Sequence, residues 1–97
     1  MVRPPVTEPL LRERLAREGL SPSRWSNGPH AVYALHDHPY AKVLMVVSGS
    51  ITFTVQGAGS RVVPMESGDR LDLPPRTPHS AVVGAEGVVC LEAQVAG

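Results

Sequence analysis

The segment HDHPYAKVLMVVSG, residues 36–49, places two histidines directly before a long aliphatic run. Successive side chains of a β-strand point to opposite faces, so His36 and His38 project together while Asp37 points away. Two imidazoles on one inward face each need a partner for their ring nitrogens. A shared metal ion is one such partner, because neutral imidazole binds zinc, copper, iron and nickel. The alternative is two half-exposed histidines that bond to water or backbone at a strand end.

The aliphatic run that follows has the same two-residue period. One face carries Lys42, Leu44 and Val46, and the other carries Val43, Met45 and Val47. Both faces are apolar, so we expect one to lie inside a barrel and the other to be covered by a helix or a second subunit.

Composition extends this β-strand pattern to most of the chain. Fourteen of the 97 residues are valine, which suits strands, while ten prolines and nine glycines supply many turns. Strands are predicted at 31–37, 42–47, 50–56, 60–64, 70–73, 79–83 and 87–94. Regular strands separated by turn signals predict an all-β sandwich or barrel.

The N-terminal third has a different pattern. After a proline-rich tail in residues 1–7, Thr7 is a suitable N-cap and an apolar stripe predicts a short surface helix over residues 8–18. Residues 21–29 have the composition of a loop. We therefore divide the chain into residues 1–29, with tail, helix and loop, and residues 30–97, which form the barrel.

Charge and cysteine content exclude several classes of protein. Nine basic residues balance nine acidic ones, which argues against binding to nucleic acid or to an anionic membrane surface. Cys90 is the single cysteine, so neither an internal disulfide nor a cysteine-rich metal site can form, and we expect it to be a buried thiol. The longest aliphatic run, residues 43–47, is far too short to span a bilayer. We expect a soluble, cytoplasmic protein with one domain.

A second segment, GDRLDLPPRTPH at residues 68–79, combines a Gly-Asp turn, a strand, a proline-rich loop and a histidine. With the first segment, it resembles the two motifs of the cupin superfamily, the first of which reads H-x-H, three or four residues, E, six residues, G. The resemblance implies a cupin-type double-stranded β-helix, or jelly-roll barrel, behind a short N-terminal helix. It also implies that His36, His38 and His79 are metal ligands. His30 matches no motif position and is expected at the surface.

Two positions depart from this pattern. Arg76 replaces the glycine of the second motif's loop, and Lys42 replaces the acidic ligand of the first. A protonated lysine has no lone pair, and it is repelled by a divalent ion by several kcal/mol at about 5 Å even with an effective dielectric constant of about 20. Either a three-histidine site remains, as in the thiol dioxygenases of the superfamily, or the metal is lost and Lys42 anchors an anion. Motif position places Lys42 inward, where Asp72 is a candidate partner unless it faces solvent.

Two functions are consistent with these residues, and the sequence does not decide whether the protein is an enzyme. The first is a metal protein with zinc, iron, nickel or manganese at the three histidines, acting on a small anionic metabolite that Lys42 orients. The second is a metal-free module that binds a small ligand through Lys42 and the histidines. Because both faces of the sheet are apolar, a homodimer is expected in either case.

Overall fold

The computed structural model of the protein describes residues 6–95, so most of the predicted tail and residues 96–97 lie outside the described part. Within this range the elements are α1 (Glu8–Arg17), β1 (Ser23–Asn27), β2 (Val32–His36), β3 (Ala41–Gln56), β4 (Ser60–Glu66), β5 (Arg70–Leu73) and β6 (His79–Val95). All the strand pairs are antiparallel. The predicted all-β fold with a short N-terminal helix is confirmed.

Two long strands, β3 and β6, organise the barrel. They pair from Ala41 opposite Val95 to Val55 opposite His79, with two breaks in the register around Gly49. The first half of β3 and the second half of β6 also pair with β5 and β1, which gives a first sheet in the order β5-β3-β6-β1. The other halves pair with β4 and β2, which gives a second sheet in the order β4-β3-β6-β2. Buried side chains of both sheets form one hydrophobic core between them, the arrangement of a jelly roll.

Glycines at a corner let β3 and β6 pass from one sheet to the other. Gly49 and Gly87 have φ values of +75° and +78°, in the left-handed region that favours glycine. A Cβ atom on Gly49 would lie 2.0 Å from the carbonyl oxygen of Gly87, so a side chain cannot fit there. The strand ends predicted at residues 48–49 and 84–87 are therefore wrong: these glycines bend a strand without ending it.

The prediction of a loop over residues 21–29 is also wrong, because residues 23–27 form β1. Its backbone pairs with β6, with Trp25 opposite Cys90. The Trp25 side chain packs against the core and contacts Tyr33 edge-on at 5.6 Å between ring centroids. Pairing with β6 and the packing of Trp25 thus stabilise a strand where the local composition of Ser and Asn predicts a loop. The first sheet therefore begins before residue 30, where the barrel was predicted to start.

Helix α1 covers the outer face of the first sheet. The Thr7 hydroxyl accepts a hydrogen bond from the Leu10 amide, which confirms the predicted N-cap. Leu11 and Leu15 are fully buried against a cluster that includes Val43 and Met45. Of the two alternatives for this apolar face, a helix or a second subunit, the structure shows the helix. No helix within residues 6–95 is long and apolar enough to cross a membrane.

Leu15 should be the main anchor of this helix. We expect Leu15→Ala to lower the free energy of unfolding by about 3 kcal/mol, since truncating a fully buried leucine loses its apolar contacts and leaves a cavity. Leu10, on the same helix but 37% exposed, is the matched control, and Leu10→Ala should cost less than about 1 kcal/mol. Urea unfolding of the three proteins measures the difference. Equal losses for the two variants would show that the helix is not held by Leu15.

The outer face of the second sheet remains exposed. Val32 lies opposite Val82, and Val62 is on β4, beyond β3 in the same sheet. These three side chains are 49–72% exposed. Because the helix covers the outer face of the first sheet, the expectation of a homodimer now depends on the exposed outer face of the second sheet alone. The homodimer stays a prediction.

Candidate functional site

Three histidines meet at one end of the barrel, where His36 is exposed, His38 is half-buried and His79 is buried. The pairing of β2 with β6 sets His36 directly opposite His79, and His38 follows two residues after β2 ends. The ring centroids are 4.4 Å apart for His36 and His79, and 4.9 Å for His36 and His38. One ring nitrogen from each of the three lies within 4.8 Å of the others. The structure thus brings together all three histidines that the sequence singled out.

Backbone carbonyls orient two of these rings. The Nδ1 atom of His36 lies 2.6 Å from the Ala34 oxygen, and that of His79 lies 2.8 Å from the Thr77 oxygen. A carbonyl oxygen only accepts, so Nδ1 carries the proton in both rings and the lone pair of the neutral ring is on Nε2. Metal-binding histidines are typically held in this way by a hydrogen bond from the other nitrogen.

The environment favours the neutral rings that a metal requires. Burial lowers the pKa of His79, and the neighbouring His36, Lys42 and His38 lower it further, while the hydrogen bond to the Thr77 carbonyl acts in the opposite direction. Burial and the charge of Lys42 likewise lower the pKa of His38. Both rings are therefore neutral at neutral pH and keep a lone pair.

These residues fit a metal ion. The Nε2 atom of His79 is buried and has no hydrogen-bond partner among the described residues, and a buried nitrogen without a partner is costly. An ion at about 2.1 Å from each nitrogen needs pairs of nitrogens within about 4.2 Å of each other. The observed limit of 4.8 Å means that small rotations of the rings would bring all three to one ion.

Lys42 faces the cluster and forms an ion pair that the sequence did not predict. Its side chain is buried, and its Nζ atom lies 3.1 Å from Oε1 of Glu92 and 3.3 Å from Nε2 of His38. Asp72, the partner considered from the sequence, is instead exposed and bonds Arg70. Lys42 and Asp72 occupy neighbouring strands, but Asp72 pairs with Val43 and so shares the outer face.

The register of the barrel explains the position of Glu92. It lies opposite Leu44 across β3 and β6, and so shares the inward face of that core residue. The sequence gives one indication of this position. Glu92 lies two positions after Cys90 in a valine-rich strand, so the side chains of the two residues point to the same face of the sheet. That signal does not say which residue is its partner, because 50 positions separate it from Lys42.

The cluster opens into a cavity of about 390 Å³. Aromatic and aliphatic side chains form much of its wall, including Trp25, Leu44 and Phe53. The Asn27 amide donates to the Tyr33 hydroxyl at 2.6 Å along another part of the wall. An apolar wall with a few polar groups at one end is typical of sites for small molecules.

The loop of the second motif has an arginine in a backbone conformation that favours glycine. Arg76 has a φ of 56°, the left-handed conformation that a glycine would adopt at lower cost. Its backbone N–H donates to the carbonyl oxygen of His38 at 2.6 Å. The loop before His79 is thus tied directly to the backbone of a second histidine of the cluster.

Two other residues lie outside the site. His30 is exposed and its backbone N–H bonds the Gly84 carbonyl, as expected for a surface residue. Cys90 is buried in the core, and burial raises the pKa of its thiol to about 12. A thiol that remains protonated is a poor nucleophile, which agrees with the structural role predicted for it.

The chain resembles known proteins in structure more clearly than in sequence. No protein-family model matches it, and no curated protein matches it. It is similar to the cupin domain of Drosophila melanogaster CENP-C, with a TM-score of 0.69 and 13% identity over 74% of this chain and 58% of that one. It is also similar to oxalate decarboxylase from Bacillus subtilis, with a TM-score of 0.73 and 28% identity. That match covers 80% of this chain and 21% of the decarboxylase.

The first similarity shows the fold alone, and in both cases the chain spans less than two thirds of the other protein. The Bacillus subtilis decarboxylase has Mn(II) centres. Here, two antiparallel sheets share two bent strands, and the two sequence motifs bring three histidines to one end of the core. With these structural neighbours, the architecture shows that the chain has the fold of a small cupin domain.

Proposed function

We propose that the protein binds one divalent metal ion through His36, His38 and His79, in a cavity that accepts a small anionic molecule. The observation that carries this proposal is the buried Nε2 atom of His79, which lacks a partner in the described chain and lies beside two other ring nitrogens. A metal ion would give this nitrogen a partner. Three neutral imidazoles and no carboxylate ligand favour zinc, iron or nickel over manganese.

The residues of this chain have distinct tasks in the proposed site. The carbonyls of Ala34 and Thr77 hold two rings through Nδ1, so that Nε2 would be the atom of each that binds the ion. When bound, the ion supplies a Lewis acid that polarises an oxygen of the bound molecule. The apolar wall around Phe53 excludes water, and the Lys42 ammonium attracts the negative end of the molecule.

Metal content tests the proposal directly. We expect protein purified without a polyhistidine tag, stripped with a chelator and titrated calorimetrically with Zn²⁺ to bind one ion per chain. Elemental analysis of the protein before stripping identifies the metal that it acquires in cells. Absence of binding at millimolar Zn²⁺ would contradict the proposal.

A second candidate function rests on the contact between Lys42 and His38. Without a metal, the Lys42 ammonium that donates to this ring nitrogen would remain in the cavity as its positive group. The protein would then hold a small anion as a binding module rather than act as an enzyme. The same titration separates the two functions. A module of this kind would bind an anion such as acetate equally well before and after Zn²⁺ is added.

A further inference from the structure

The Lys42 ammonium makes two contacts. One neutralises its positive charge, and the other occupies a histidine nitrogen that a metal ion would need. One contact is an ion pair with Glu92, at 3.1 Å. The other is the hydrogen bond to Nε2 of His38, at 3.3 Å. An ammonium group can only donate, so the ring nitrogen must accept, and the lone pair of His38 is engaged.

The other two rings differ from His38 in this respect. His36 and His79 are held through Nδ1, and Lys42 forms no hydrogen bond with either of their Nε2 atoms within residues 6–95. A metal ion needs the third lone pair as well, and two groups cannot use it at once. Any ion bonded to His38 would also lie close to an ammonium group of the same sign of charge, which opposes binding.

We propose that Lys42 competes with the metal for His38, and that metal binding releases its ammonium to hold the carboxylate of the bound molecule. This inference rests on the proposed function, because it requires the three-histidine metal site. Lysine has a flexible four-carbon stem, so its Nζ atom can leave His38 while Glu92 retains it. Lys42 is then the residue that determines specificity for an anion, and Glu92 is its positioning residue.

The released ammonium defines the class of ligand. A divalent ion and Lys42 together carry three positive charges, of which Glu92 offsets one, so a negatively charged molecule is strongly favoured over a neutral one. The cavity of about 390 Å³ has room for a small carboxylate, which is the anion that we propose it takes. Its negative end would lie between the ion and Lys42, both of which line the same end of the cavity.

Two substitutions with opposite expected effects test the inference. Lys42→Met keeps a similar volume and removes the competitor, so Zn²⁺ should bind at least tenfold more tightly, a difference of about 1.4 kcal/mol. Glu92→Gln is the matched variant: it leaves the lysine without its counter-charge, so Zn²⁺ should bind at least threefold more weakly. A general loss of folding would weaken binding in both, and circular dichroism checks for it.

The second half of the inference is measured with acetate. Wild-type protein loaded with Zn²⁺ should bind acetate at least threefold more tightly than loaded Lys42→Met, because only the wild type has the released ammonium. Equal Zn²⁺ affinity of wild type and Lys42→Met would overturn the competition while the proposed metal site stands. Equal acetate affinity would overturn the role of Lys42 in anion binding. If no protein of the series binds Zn²⁺, the proposed function itself fails.

Discussion

Replacing His79 by alanine is expected to weaken Zn²⁺ binding more than a hundredfold. His79 is 2% exposed and contributes the ring nitrogen that lacks a partner among residues 6–95. Even residues that merely hold a metal ligand in place typically change affinity by about 10–100-fold when removed, so loss of the ligand itself should have a larger effect. Calorimetric titration of the stripped variant measures it.

Two further variants test whether the loss of Zn²⁺ affinity is specific to the histidine cluster. His36 is exposed, so His36→Ala removes a second ligand with little effect on the core and should also abolish tight binding. His30→Ala removes a surface imidazole outside the cluster and should leave the affinity unchanged. If His30→Ala and His36→Ala weakened binding equally, the ligands would have been misassigned.

Gly49→Ala is expected to lower the free energy of unfolding by about 2–5 kcal/mol. A left-handed φ costs alanine about 1–2 kcal/mol, and forcing extra atoms into a packed site costs about 1–3 kcal/mol more. The new methyl group would lie 2.0 Å from the Gly87 oxygen, so the backbones of β3 and β6 must separate at the corner. For a domain of this size the melting temperature should fall by at least about 8 °C.

Gly59 provides the matched control for this substitution. A Cβ atom there meets nothing within 4 Å and its φ is not left-handed. Gly59→Ala should therefore change stability by less than about 1 kcal/mol, and in the direction of stabilisation, because it restricts the unfolded chain. Similar melting temperatures for the two variants would show that the corner tolerates a side chain.

Much of this architecture could be predicted from local pattern. The Thr7 cap and the apolar stripe of the helix depend on neighbours within four residues, and the structure has the helix at Glu8–Arg17. The alternation around His36 and His38 likewise identified side chains that meet. His79, more than 40 positions away, was found through the resemblance of two motifs and not through spacing.

The features that were missed depend on pairing between distant parts of the chain. Trp25 belongs to a strand because β6 lies beside it, and no local preference of its Ser and Asn neighbours indicates this. The ion pair of Lys42 with Glu92 depends on the register of β3 against β6. The corner at Gly49 resembles an ordinary turn in sequence, because glycine permits both a turn and a bend.

Because β3 and β6 each belong to both sheets, neither sheet can separate without breaking strands that the other needs. Amide hydrogens in the middle of these strands should therefore exchange with solvent only when the whole domain unfolds. Strand β2 is different, since it lies at an edge, pairs with β6 and has an irregular register after Tyr33. Amide hydrogens of β2 should therefore exchange faster than those in the middle of β3 and β6. Fraying of β2 would displace His36, which it carries, while His79 and Lys42 would stay on the strands that both sheets share.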